Sequence, residues 1–208
     1  MKNENSLDVD NFLFWDNKYK INEFSWDVGY PTPFFVDWSK IIENKKSKKI
    51  LIPGCGLGHD VIYLSKLGFD VYACDFSSTA VKILRNKVKK NNLSTKVIKE
   101  DFFKLSENFK GYFDYILEYT FYCAINPSKR PNYIEECSKL LKDKGKLVGI
   151  MLPIGNVEVA SKPPFEVKLN ELENNFLNFF NIIKIKPNHL SIKKRKGIEY
   201  IVEYQKYK

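Results

Sequence analysis

Histidine, methionine and cysteine are scarce in this 208-residue sequence, numbering two, two and four. The cysteines stand at 55, 74, 123 and 137, and no two form a Cys-x-x-Cys pair. Metal-ligand spacing is therefore missing, and no metal site is expected. A disulfide framework is not expected either, and buried reduced thiols are the natural reading. No stretch approaches the ~20 uncharged apolar residues of a membrane span. Met1-Lys2-Asn3-Glu4-Asn5 lacks the apolar run of a secretory signal, so a cytoplasmic protein without membrane attachment is expected. Internal repeats and low-complexity linkers are also missing, and a chain of this length usually folds as one domain, here spanning residues 1–208.

What is present is a full complement of core-forming residues. The chain is 44% hydrophobic and 15% aromatic, with 28% charged residues, too apolar for disorder. The net charge of +9 has two readings. A basic surface can attract nucleic acid or anionic substrates. Scattered lysines at Lys45-Lys46, Lys48-Lys49, Lys89-Lys90 and Lys193-Lys194 are equally the solvated ends of helices and loops, which is the reading preferred here. The cluster Lys193-Lys194-Arg195-Lys196 stands apart from that pattern.

Along the chain, residues 1–45 are irregular and rich in aromatics, with Pro31 and Pro33 interrupting them and a short helix expected near 33–44. This segment reads as a cover, and residues 46–208 read as a β-then-α alternation. Strands are expected at 49–53, 69–74, 96–100, 112–118 and 146–152, and two closing strands at about 181–194 and 198–206, joined at Lys196-Gly197. Helices are expected at 59–67, from Ser77-Ser78 through Asn91, at 131–141 and near 169–178. Alternation of this kind predicts an α/β fold, a mostly parallel seven-stranded sheet with helices on both faces and a C-terminal antiparallel strand.

The sharpest local signal is Ile50-Leu51-Ile52-Pro53-Gly54-Cys55-Gly56-Leu57-Gly58-His59-Asp60, a strand followed by alternate glycines and a helix start. Glycines let the backbone turn tightly and approach a ligand, and the helix N-terminus offers free N–H groups. Dinucleotide-binding domains use a similar turn. Here the pattern is Gly-x-Gly-x-Gly, with His59 where the dinucleotide pattern wants glycine. Asp75 closes the second strand, placed to accept from both hydroxyls of a ribose. Asp101-Phe102-Phe103 closes the third, where a carboxylate can accept from an adenine amino group and an aromatic can cover the ring. Together these favour S-adenosylmethionine as cofactor. Gly54, Gly56, Asp75, Asp101 and Glu118 would all meet at the carboxyl edge of the sheet, where open α/β sheets bind ligands. Cys55 reads as part of the cofactor turn rather than as a nucleophile, His59 as a helix-start residue, and His189 as a surface residue.

The order of these motifs resembles the thiopurine S-methyltransferase family, particularly its branch of halide, thiocyanate and thiol methyltransferases, over most of the chain. Trp15-x-x-x-Tyr19 and Trp26-Asp27-x-Gly29-x-x-x-Pro33 are similar to its aromatic signature, with Tyr19 replacing a second tryptophan. Pro53-Gly54-Cys55-Gly56-x-Gly58-His59-Asp60 is similar to its cofactor turn. Glu118-Tyr119-Thr120-Phe121-Tyr122-Cys123-Ala124-Ile125-Asn126-Pro127-Ser128-x-Arg130 is the most specific stretch, with Glu118 in place of the usual Asp. Pro163-Pro164-Phe165 and Arg195-x-Gly197-x-Glu199 match further landmarks, although Ser161-Lys162 replace paired glycines. The resemblance implies a Rossmann-like class I methyltransferase that is monomeric. It implies that Trp15, Tyr19, Trp26, Gly54, Asp75, Asp101, Phe102 and Tyr119 contact the cofactor. Tyr119, Glu118 and Arg130 are the expected catalytic residues, with Tyr119 near the transferring methyl and Arg130 and Arg195 attracting or orienting an anion; Arg130 reads equally as a brace for Glu118 or a helix N-terminus.

Methyl transfer is an in-line displacement in which positioning can supply ~7–11 kcal/mol. Thiocyanate, bisulfide and halides need no general base, which fits a sequence without an obvious catalytic His or Lys. A small thiol, thiopurine or soft anion is the expected acceptor, with no nucleic-acid partner. Two rival readings are a nucleic-acid or protein methyltransferase, prompted by the charge, and a non-catalytic cofactor-binding module. Against the first, no acidic-or-Asn, Pro, Pro, aromatic step follows the fourth strand.

Overall fold

The computed structural model describes residues 9–155 and 161–208. The first eight residues of the expected cover, and residues 156–160 of the loop after the fifth strand, lie outside the described residues. The helices are α1 (Phe12–Lys20), α2 (Pro33–Trp38), α3 (His59–Lys66), α4 (Ser78–Lys90), α5 (Ser106–Phe109), α6 (Arg130–Leu140) and α7 (Leu169–Asn174). The strands are β1 (Lys49–Pro53), β2 (Asp70–Asp75), β3 (Lys96–Lys99), β4 (Phe113–Tyr119), β5 (Leu141–Met151), β6 (Phe180–Pro187) and β7 (Tyr200–Lys206). They form one seven-stranded sheet in the order β3-β2-β1-β4-β5-β7-β6. Pairing is parallel from β3 to β5, and β7 runs antiparallel to both of its neighbours.

The apolar run of β1 makes it central, buried on both faces. Ile50 and Ile52 point into a core shared with Val61, Leu64, Leu84 and Leu117. Leu51, between them, points to the opposite core with Ile116, Tyr133, Cys137 and Leu147. This is the two-residue alternation of a strand sandwiched between helices. Each fully buried leucine or isoleucine contributes ~1.5–3 kcal/mol. From β1 the chain winds outward through β2 and β3, then returns to place β4 on the other side of β1. That reversal opens a crevice at the carboxyl edge between β1 and β4, the usual ligand position in such sheets.

Several expected boundaries move, each for a local reason. The helix starting at Pro33 stops at Trp38 rather than 44. The sixth strand stops at Pro187 instead of running to 194. Proline cannot donate to the ladder, and Asn188 then folds its side chain back to accept from the Leu190 amide at 3.0 Å. Residues 188–199 are therefore a long turn, not a hairpin tip at Lys196-Gly197. The fifth strand begins at Leu141, directly after α6. Its pairing with β4 jumps from Leu141 to Lys146, so Gly145 lies within an irregular stretch of β5.

At the end of β4 the side chains alternate as they must. The Glu118 carboxylate turns toward α6, where it is 1% exposed. Its Oε1 accepts from the amides of Phe121 (2.9 Å) and Tyr122 (2.8 Å), and its Oε2 accepts from the Tyr133 hydroxyl (2.7 Å). Burial pushes this carboxyl up to about 7, with those three donors working the other way. Opposite Glu118 in the ladder stands Gly149. A Cβ there would meet the Glu118 carbonyl oxygen at 2.3 Å and the Glu118 Cβ at 2.6 Å, and neither can yield.

Gly149→Ala is expected to destabilise the fold by at least ~1–3 kcal/mol, the usual cost of overpacking, read as a lower urea midpoint. An unchanged midpoint contradicts the close approach of β4 and β5. Glu118 holds its proton more tightly in the folded chain than in the unfolded one. Its contribution to stability is thus fully present below about pH 4 and is lost as pH rises through about 7. The stability difference between the protein and its Glu118→Gln variant should shift against the parent over that range. A pH-independent difference argues against a buried, proton-holding Glu118.

Candidate active site

A cavity of about 1080 Å³ opens at the carboxyl edge, over the crevice between β1 and β4. Its floor comes from strand ends. Gly54, with φ of +54°, turns the chain away from β1 in a conformation few side chains tolerate. A Cβ on it would lie 2.5 Å from the Phe121 ring. Asp75 ends β2 and Asp101-Phe102 follow β3, all three lining the cavity.

Asp75 is 6% exposed and accepts two backbone amides, Gly56 on Oδ2 and Ser77 on Oδ1, each at 2.9 Å. Burial pushes its carboxyl up to about 6, partly offset by those amides, and the nearby Asp16 charge raises it further. Each carboxylate oxygen keeps acceptor capacity for a hydroxyl approaching from the cavity. Gly56 does its work through this amide: it does not line the large cavity, and a Cβ on it would lie 2.7 Å from the Tyr19 hydroxyl. Asp101 caps the short turn Phe102–Lys104 by accepting from the Phe103 amide at 3.1 Å. Phe102 packs edge-on to Phe121 with ring centres 5.4 Å apart.

The roof is aromatic. Trp15 and Trp26 meet edge to face at 5.5 Å, and Trp26 meets Tyr19 in the same way at 5.8 Å. Trp15, Tyr19 and Trp26 all face the cavity. The cover is fastened at both ends. Asp16 of α1, 3% exposed, accepts from the Ser77 hydroxyl and the Thr79 amide, both at 2.8 Å, and pairs with Lys20. Burial alone would raise its carboxyl, yet Lys20, the Thr79 amide and the Ser77 hydroxyl hold it well below the usual carboxylate range. Further along, Asp60 of α3 accepts the Thr32 amide (2.7 Å) and hydroxyl (2.8 Å), while His59 lies 3.1 Å from Asp27. The His59-Asp60 step therefore fastens the segment 27–32. Asp60 is pushed up to about 6 by burial.

The remaining wall is apolar with a basic rim. Phe103, Ile125, Leu152 and Pro163-Pro164 line it together with Lys18, Lys129, Lys162 and Arg195. Lys129 reaches Asp10 of the cover at 3.2 Å. The wall also carries acids at Glu23, Asp27 and Glu100. Among the described residues no cluster of His, Cys, Asp and Glu can hold a metal, and no helix is long and apolar enough to cross a membrane.

Of the residues expected at the site, Trp15, Tyr19, Trp26, Gly54, Asp75, Asp101, Phe102 and Arg195 are brought together around one cavity. Three expected to carry the chemistry are not on its wall. Glu118 faces α6, braced as described above. Arg130 is 4% exposed and holds Glu171 of α7 at 3.0 Å, the Phe165 carbonyl at 3.3 Å and the face of Tyr122, so it ties α6 to the incoming loop instead of facing an anion. Tyr119 borders a smaller pocket of about 80 Å³ between segment 26–32 and the glycine turn. Its hydroxyl donates to Glu199 at 2.8 Å and accepts from Arg195. The thiol of Cys55 is pushed well above its ordinary value by burial and by Asp75, which leaves it protonated and unsuited to attack.

Sequence reading missed Thr120, which lines both pockets. It is a β-branched residue at φ of +66°, a strained conformation worth about 1–3 kcal/mol, and its hydroxyl donates to the Tyr119 carbonyl at 2.6 Å. It also missed Asp16 and Asn188, while Glu199 was visible only as the end of the Arg195-x-Gly197-x-Glu199 landmark.

Known proteins resemble the chain in sequence and in fold. The chain is 34% identical over 197 residues to a probable thiol methyltransferase 2 of Arabidopsis thaliana, covering 92% of this chain and 84% of that one. It is 30% identical over 200 residues to thiocyanate methyltransferase 1 of Brassica oleracea, with the same coverage. In fold it matches a Burkholderia thailandensis 1,6-didemethyltoxoflavin-N1-methyltransferase, solved with bound S-adenosylhomocysteine. That match has a TM-score of 0.76 at 15% identity over 95% of this chain and 87% of the other. The model of the thiopurine S-methyltransferase family matches residues 11–206. With nearly its whole length matched, and with the family's turn, strand-end acids and aromatic cover folded around one cavity, the chain belongs to the thiopurine S-methyltransferase family of methyltransferases.

Proposed function

We propose that the protein transfers a methyl group from S-adenosylmethionine to a small thiol or soft anion, in the carboxyl-edge cavity. The observation that carries this is that two strand-end carboxyls, Asp75 and Asp101, line one cavity together with Trp15, Tyr19 and Trp26. The donor set suits the cofactor. Asp75 offers acceptors for ribose hydroxyls, and Asp101 offers one for an exocyclic amine beside the Phe102 ring. Aromatic faces attract a sulfonium through their quadrupole. A cavity of about 1080 Å³ lies at the upper end of the ~300–1,000 Å³ common for ligand pockets, which leaves room for an acceptor alongside.

When bound, the cofactor supplies an electrophilic methyl group. The protein's own residues then have three tasks: to hold the two reactants in line, to exclude water, and to bring in an electron-rich acceptor. Trp15, Trp26 and the bonds of Asp16 and Asp60 keep the roof in place. Lys18, Lys162 and Arg195 bring positive charge to the cavity wall beside the acids Glu23, Asp27 and Glu100, and a cationic group next to the acceptor would favour an anion. Neither histidine lines the cavity, which suits acceptors already ionised or polarisable enough to react without a general base. The thiol and thiocyanate methyltransferase relatives support that acceptor class.

Incubation with S-adenosylmethionine and, in turn, bisulfide, thiocyanate, iodide and an aromatic thiol should release S-adenosylhomocysteine with at least one of them. Silence across the whole panel refutes the acceptor class. Asp75→Asn should weaken cofactor binding about tenfold or more, the worth of a hydrogen bond to a charged group. Affinity in the parent should fall as pH drops through about 6, because the ionised carboxylate is the better acceptor, and the Asn variant should lose most of that slope. Equal affinities at every pH would remove Asp75 from the cofactor site.

A further inference from the structure

Glu199 stands just before β7, 2% exposed, outside the cavity and outside every role given above. A buried carboxylate is costly unless it is paired and hydrogen-bonded, and it is a poor source of net stability. Its partners show what it orients. The Tyr119 hydroxyl donates to Oε1 at 2.8 Å, and Asn188 Nδ2 donates to Oε2 at 3.0 Å. Arg195 Nη1 lies 4.0 Å from Oε1. A tyrosine hydroxyl has one proton. With that proton given to Glu199, the Tyr119 oxygen is left as an acceptor, and Arg195 Nη1 donates to it. The Arg195 guanidinium lies 5.1 Å from the centre of the Tyr119 ring, and its Nη2 donates to the Trp26 carbonyl at 2.7 Å.

A single chain of hydrogen bonds therefore runs from Asn188 through Glu199, Tyr119 and Arg195 to the backbone of Trp26. One end is anchored behind the sheet edge and the other is part of the roof. Arg195, in the middle, is also on the cavity wall. The carboxylate accepts from Asn188 and Tyr119, and the guanidinium donates to Tyr119 and to the Trp26 carbonyl, so each bond in this chain has one direction.

We infer that Glu199 is a positioning residue, which through the Tyr119 hydroxyl holds Arg195 between the Trp26 roof and the end of β4, so that closure of the roof and presentation of the guanidinium are set together. The inference rests on the proposed methyl transfer for its catalytic meaning, and on the hydrogen-bond chain alone for its structural one.

The test is a double-mutant cycle with Glu199→Gln and Arg195→Met, read in two ways. Cofactor affinity is measured by titrating S-adenosylhomocysteine against tryptophan fluorescence, and kcat and KM are measured for whichever acceptor turns over. Glu199→Gln should weaken cofactor affinity several-fold and raise the acceptor KM about tenfold, because Gln loses the charge and sets an amide donor against Tyr119 or Asn188, with a smaller effect on kcat. Arg195→Met should do the same, and the double variant should be no worse than Arg195→Met alone, because both remove one connection. A merely structural Glu199 would lower the thermal midpoint and add its loss to that of Arg195→Met. Additive losses, or unchanged affinity and KM in Glu199→Gln, overturn the inference. Should Glu199→Gln fail to fold, Tyr119→Phe breaks the same chain and must reproduce the Arg195→Met losses. If the parent binds cofactor and methylates no acceptor, the acceptor proposal fails by itself and the cofactor arm of the cycle still decides this one.

Discussion

The carboxylate of Asp75 is where three otherwise separate segments are joined. One oxygen holds the amide of Gly56 in the turn after β1, and the other holds the amide of Ser77 at the start of α4. Ser77 in turn gives its hydroxyl to Asp16, whose second contact is the Thr79 amide. Floor, helix start and cover are thus linked by a relay of two buried carboxylates and the backbone donors between them. The two carboxyls are driven in opposite directions. Asp16, with Lys20 and donors around it, is held low, while Asp75, desolvated and near Asp16, is pushed up to about 6. The group kept within reach of a proton is the one on the cavity wall.

The same division of labour runs through the rest of the site. Asp75 and Asp101 sit on the strand ends below, aromatic rings stand above, and Lys162 and Arg195 share the rest of the lining with Glu23, Asp27 and Glu100. An arrangement of this kind favours a cationic ligand between rings and carboxylates and an anionic one beside Lys162 and Arg195. The cover does not rest on apolar contact alone: Asp16, the Asp60–Thr32 bonds, the His59–Asp27 pair and the Arg195–Trp26 bond each fix it at a different point. Opening it for exchange of ligands means breaking these buried and half-buried polar contacts.

What could be read from the sequence was whatever a short local pattern dictates. The run Ile50–Pro53 before Gly54 could only be a buried strand entering a tight turn, and Asp75 and Asp101 followed as the ends of the next two strands. The aromatic cover was legible as composition. What escaped were matters decided across the fold. Nothing local says which face of β4 receives Glu118; Gly149 opposite and Tyr133 of α6 decide it, and they turn it away from the cavity. Arg130 looked like an anion ligand until α7 brought Glu171 to it. The left-handed Thr120 gives no sequence signal, since threonine is a poor candidate for that conformation. The sixth strand ends at Pro187-Asn188, where the proline and the Asx turn after it interrupt an otherwise β-prone run.

In the proposed reading, the turn starting at Gly54, Asp75 and the tryptophan roof together enclose one adenosyl ligand. Isothermal titration of the chain with S-adenosylhomocysteine, followed in parallel by tryptophan fluorescence, tests it most directly. Saturable binding of one ligand per chain is expected, with a fluorescence change that tracks the heat because Trp15 and Trp26 line the cavity. Absence of binding, or binding that leaves the fluorescence unchanged, would contradict it.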